Sequence, residues 1–116
     1  MIEFFRKIKN SPVELFGVIF FKDNGVVGTH ILGEGTDRGV NINVSRLFRE
    51  AENLGAQGMT LVHNHPSGIL RPSIIDLKTT YTLQDYCKPK GIPIIDHIIL
   101  GNNTKDHYSF KKNGAL

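Results

Sequence analysis

The sequence predicts an α/β fold, a mixed β-sheet flanked by helices. Two apolar, β-rich runs meet at Asp23-Asn24-Gly25, two stretches with helical spacing begin near Ser45 and Ser73, and short apolar runs at 59–62 and 94–100 alternate with those helices. Strand alternating with helix is the pattern of layered α/β architectures. At 116 residues the chain reads as one domain, residues 1–116, able to bury roughly two thirds of its unfolded surface without disulfide or other staples.

Residues 13–22 (VELFGVIFFK) are mostly apolar and rich in β-formers, which predicts the first strand. Asn24-Gly25 turns the chain, and residues 26–32 return as the hairpin partner. The polar, glycine-rich segment 33–39 reads as a loop, and residues 40–44 alternate as a third strand does. A helix begins near Ser45, with Leu47, Phe48, Ala51 and Leu54 on one face and Gly55 at the C-terminal cap. Residues 59–62 form a short buried strand that delivers His63 and His65 at its end. Ser73 opens a second helix with Ile74, Leu77 and Tyr81 on one side, Gly91-Ile92-Pro93 breaks the chain, residues 94–100 form a further strand, and Tyr108-Ser109-Phe110 a short last one.

Composition excludes more than it selects. Fourteen Lys and Arg against eleven Asp and Glu give a net charge of +3, with the basic residues scattered in small groups. This permits nucleic-acid contact without indicating it. The single cysteine, Cys87, rules out an intrachain disulfide and a cysteine-based zinc finger; near the end of a helix it suits a small packed side chain. No signal peptide or long apolar run is present, so no membrane is expected and a cytoplasmic location is the default.

The chemistry concentrates in His63-Asn64-His65-Pro66-Ser67-Gly68 and Ser73-Ile74-Ile75-Asp76. Side chains at i and i+2 of an extended segment share a face, so one metal can take both imidazoles. Two His nitrogens, one carboxylate and an open fourth position are what a catalytic Zn²⁺ needs, and the turn after His65 brings Ser73 and Asp76 back beside it. Ser73-x-x-Asp76 is also a capping box, in which Ser73 is the N-cap. Both readings are physically compatible. The contiguous letters His-Asn-His do not make an HNH nuclease, whose residues are dispersed over a ββα element.

The HNHPSG…PSIID segment resembles the JAB1/MPN/Mov34 (JAMM) metalloprotease signature, H-x-H-x(7)-S-x-x-D, and more closely its RadC-like branch. The likeness extends to IPIIDHIILG at 92–101, to Tyr108-Ser109-Phe110, and upstream to Val13-Glu14-Leu15-Phe16 through Asp23. The resemblance implies an MPN/JAB-type, cytidine-deaminase-like domain acting as a zinc-dependent hydrolase on a peptide or isopeptide bond. His63, His65 and Asp76 would then ligate Zn²⁺, Ser73 would help hold the tetrahedral intermediate, and a first-strand glutamate would activate the metal-bound water. Glu14 holds that position, with Glu34 as its competitor. Asp96-His97 reads either as a pair orienting a ligand or as a structural pair, and Asn64 and Ser67 as braces of the turn. RadC-like proteins commonly carry a helix-hairpin-helix segment before this domain; residues 1–116 read as the domain without it. Two other roles stay open, a DNA repair or recombination accessory contacting DNA and a non-catalytic MPN interaction module. An edge strand in so small a sheet also allows a homo-oligomer.

Overall fold

A computed structural model describes residues 1–36 and 39–116; Asp37 and Arg38, at the end of the predicted loop, lie outside the described residues. The described elements are α1 (Ile2–Lys9), β1 (Leu15–Lys22), β2 (Gly25–Thr36), β3 (Gly39–Val40), α2 (Val44–Asn53), β4 (Gly58–His65), α3 (Ile74–Cys87), a 3₁₀ turn (Lys88–Lys90), β5 (Ile94–Gly101) and β6 (His107–Ser109). The strands form one sheet in the order β3-β2-β1-β4-β5-β6. β4 and β5 run parallel, joined through α3, while the other neighbours are antiparallel. The mixed α/β class is as the sequence predicts.

Side-chain alternation sorts the sheet into two faces. Val18 and Phe20 of β1, Met59 and Leu61 of β4 and Ile94 of β5 join Leu47 and Ala51 of α2 and Leu83 and Cys87 of α3 in the main core. Ile19 and Val62 point the other way, where Phe4, Phe5 and Ile8 of α1 cover them. Gly17 makes that cover possible, because a Cβ there would stand 2.7 Å from the Phe4 ring and 2.8 Å from Ile8. Neither could remain in place.

Several boundaries differ from the sequence reading. The hairpin loop is Asp23-Asn24, both at positive φ, and Gly25 already pairs with Lys22; short polar side chains tolerate this left-handed geometry. The predicted loop at 33–39 is strand as far as Thr36, because β2 pairs along the whole of β1 and then with β3. The predicted strand at 40–44 shrinks to Gly39–Val40, since Asn43 caps α2 by accepting from the Arg46 N–H. Gly55 ends α2 in the left-handed conformation, with Gly55 and Ala56 N–H groups donating to the Glu52 and Ala51 carbonyls. On α3 most of the predicted apolar face meets solvent: Ile74 is 72% and Tyr81 44% exposed and Leu77 is half-buried, whereas Asp76, Thr80, Leu83 and Cys87 are buried. Hydrophobic period cannot anticipate a helix face buried through polar groups.

Candidate metal centre

The site forms where β4 ends and α3 begins. Alternation along β4 puts Met59, Leu61, His63 and His65 on the α3 side and Asn64 on the α1 side. Phe16, paired with His63 across β1 and β4, stacks on its ring at 4.3 Å. After His65 the chain turns: the Gly68 N–H donates to the His65 carbonyl and the Ile69 N–H to Ser67 Oγ. α3 then starts with a complete capping box, in which Asp76 N–H donates to Ser73 Oγ at 3.0 Å and Ser73 N–H donates to Asp76 Oδ2 at 2.8 Å. The cap that holds the helix end also aims the carboxylate. Asp76 Oδ2 lies 3.1 Å from His65 Nε2, and Oδ1 3.3 Å from His63 Nε2.

Glu14 approaches from just before β1, with Oε1 3.7 Å from His63 Nε2 and 3.6 Å from His65 Nε2. Its segment is fastened by Asn64, which accepts from the Leu15 N–H at 2.7 Å and donates to the Ser11 and Val13 carbonyls at 3.1 Å each. Asn64 therefore ties β4 to the Glu14 segment, whereas Ser67 braces the local turn. Glu14, Thr36, Ser67, Ser73 and Ile75 are among the residues lining a cleft beside the four donors.

Hydrogen bonding determines which imidazole nitrogens are free. The Ile69 carbonyl, 2.6 Å from His65 Nδ1, has no proton, so His65 carries one on Nδ1. Neutral His65 therefore presents a bare Nε2. The same nitrogen stands 3.0 Å from His63 Nε2 and beside a carboxylate, an arrangement that could hold a cation between the groups. Donors about 2.0–2.1 Å from a tetrahedral zinc lie about 3.3 Å apart; the three closest pairs here are 3.0, 3.1 and 3.3 Å. All four residues have a donor atom within 4.8 Å of the others. The nitrogen and oxygen set fits a divalent ion such as zinc.

Charge follows the same geometry. Burial acts to raise the Asp76 carboxyl, yet His63 and His65, which in their protonated forms donate to it, and the Ser73 N–H hold it well below the usual carboxylate range. Burial acts to lower His65, but its bonds to Asp76 and the Ile69 carbonyl, with the Asp76 and Glu14 charges, leave it above the ordinary imidazole value. Complete burial, reinforced by the His63 charge, puts His97 well below that value.

The structure thus brings Glu14, His63, His65 and Asp76 together with Ser73 at their rim. Glu34 is exposed on β2 opposite Leu15 and outside the group. The Asp96-His97 pair splits, as neighbours on a strand must. His97 points inward, with Nε2 2.6 Å from His63 Nδ1. Asp96 accepts from Ser109 Oγ and the Lys111 N–H, fastening the C-terminal turn. Thr80, bonded to His97 at 2.6 Å, escaped the sequence reading; its placement one turn after Asp76 was the available signal.

Residues 1–115 match the family model described as RadC-like JAB domain. The chain belongs to that family. The curled mixed sheet with its helices is consistent with the JAB/MPN class, and the match supports the JAMM superfamily. A UPF0758 protein of Pseudomonas fluorescens (strain SBW25) is 33% identical over 110 residues, covering 94% of this chain and 48% of that protein. A UPF0758 protein of Finegoldia magna is likewise 33% identical over 110 residues, with 94% and 48% covered. One of Trichormus variabilis is 35% identical over 104 residues, covering 89% of this RadC-like domain and 42% of the relative. The chain spans about half the length of the curated relatives it matches. Among the described residues no helix is long and apolar enough to cross a membrane.

Proposed function

We propose that this RadC-like JAB domain is a zinc-dependent hydrolase of peptide or isopeptide bonds. The observation that carries the reading is the convergence of two imidazole Nε2 atoms and the Asp76 carboxylate within 3.3 Å of one another, with Glu14 at the open side. His63, His65 and Asp76 would hold the ion. Two neutral imidazoles and one carboxylate would leave it a net charge of +1, and bound zinc supplies Lewis-acid polarisation of water and of the scissile carbonyl.

The chain's own residues do the rest. Glu14 Oε1 is farther from the imidazoles than Asp76 is and lines the cleft. It accepts a proton from the attacking water and returns it to the leaving nitrogen, the work of a general base and then a general acid. Ser73 Oγ is committed as acceptor to the Asp76 N–H, which leaves its hydrogen to donate to the oxyanion that forms on the substrate carbonyl. The choice of a peptide-type bond rests on the JAMM superfamily, which includes metalloproteases.

Metal analysis after equilibration with zinc tests the reading. About one zinc per chain is expected, lost in His63→Ala and Asp76→Ala. Glu14→Gln retains the zinc while hydrolysis of peptide and isopeptide substrates falls about 10²–10⁴-fold. Failure of the folded parent chain to retain zinc at neutral pH overturns the proposal.

A further inference from the structure

We propose that His97 and Thr80 form a positioning pair that keeps His63 protonated on Nδ1 and its Nε2 lone pair directed into the metal centre. This rests on the zinc reading and deepens it, by assigning the device that selects the ligating form of one imidazole. The argument begins at a backbone carbonyl. Thr80 Oγ1 lies 2.7 Å from the Asp76 carbonyl oxygen, which has no proton, so the Thr80 hydroxyl donates there. The same oxygen lies 2.6 Å from His97 Nδ1 and has no second proton to give. His97 must donate from Nδ1.

His97 is fully buried, stacked on Phe110 at 4.4 Å, with Thr80 and His63 as its polar side-chain partners. Among the described residues no carboxylate hydrogen-bonds the ring, so a doubly protonated form would be an uncompensated buried charge. Its Nε2 is therefore an acceptor, 2.6 Å from His63 Nδ1, and His63 supplies the proton. The chain of bonds starts at the Asp76 carbonyl and ends at His63, whose Nε2 faces the Asp76 carboxylate at 3.3 Å across the space an ion would fill. His65 obtains the same form from the Ile69 carbonyl alone. Partners on the far nitrogen commonly fix tautomer and ring orientation in metal sites; here that partner is neutral, so it orients His63 without adding negative charge.

Thr80→Val removes the hydroxyl at nearly constant volume and strands the His97 Nδ1–H in a dry site. Moving the His97 proton to Nε2 relieves this, but then His97 donates to His63 and the His63 proton shifts to Nε2, where it blocks the ion. Nitrogen NMR of the histidine rings in metal-free protein, above the imidazole titration range, reads these forms directly. The expected result is an Nδ1 proton on His63 in the parent and in Thr80→Ser, and an Nε2 proton in Thr80→Val, with the zinc dissociation constant of the valine variant raised about 10–100-fold. An Nε2 proton on His63 in the parent overturns the proposal without any variant. So does a folded Thr80→Val chain with parental His63 signals and parental zinc affinity. A parent that shows the Nδ1 proton but takes no zinc supports the positioning pair and sinks the zinc reading alone.

Discussion

Replacing Asn64 by alanine cuts the bond between the ligand strand and the segment that carries Glu14. Asn64 is fully buried, and its amide serves three backbone groups, the Leu15 N–H and the Ser11 and Val13 carbonyls. Val13 keeps a donor in the Ser11 hydroxyl, so the Leu15 N–H and the Ser11 carbonyl lose these bonds without that compensation. Each buried polar group left unpaired costs about 1–3 kcal/mol. The segment runs beside exposed Val13, where water can enter, so the lower half of the summed range applies, about 2–4 kcal/mol in all. For a domain of this size that lowers Tm by roughly 8–16 °C. Thermal unfolding by circular dichroism measures it, with bound zinc and peptide hydrolysis followed in parallel. Zinc stoichiometry should hold, because His63, His65 and Asp76 are untouched, while hydrolysis falls as Glu14 loses its anchor. A Tm within about 2 °C of the parent refutes the staple. Loss of zinc in a folded variant refutes the assignment of its effect to Glu14.

Zinc affinity should rise with pH across the imidazole range and then level off. The folded, metal-free protein holds the His65 proton to a higher pH than an ordinary imidazole, and the ion must displace it. Calorimetry in buffers of different ionisation enthalpy counts the released proton; affinity that falls as pH rises contradicts the site. Gly17→Ala would drive a methyl into Phe4 and Ile8 and should cost about 1–3 kcal/mol, read by denaturant unfolding, with zinc stoichiometry unchanged. A neutral effect would mean that α1 does not pack tightly on β1. Cys87 is fully buried and its thiol is pushed up by burial, partly offset by Lys90. It should react with a thiol reagent in the unfolded chain and very slowly in the native one, and rapid native labelling would contradict that packing.

The strands at 13–22, 26–32 and 94–100 were legible because short apolar runs and a turn signal act over a few residues. α1 was not read, although Phe4 and Ile8 stand one helical turn apart; eight residues with mixed charge give little periodic signal. The buried face of α3 was not legible because the polar cluster of the candidate metal centre buries Asp76 and Thr80, and apolar Ile74 gains nothing by turning inward at its rim.

By itself the sequence determined the donor chemistry and its local geometry. The i and i+2 histidines share a strand face, and Ser73 and Asp76 cap the helix that follows, through rules that operate within four residues. Only the tertiary structure decided what surrounds those donors. Asn64 reaches Leu15, Val13 and Ser11 across 49, 51 and 53 residues, and His63 meets His97 across 34. Those contacts depend on the antiparallel register of β1 with β4 and the parallel register of β4 with β5. Register is set by packing both faces of the sheet at once, and no local window of sequence contains it.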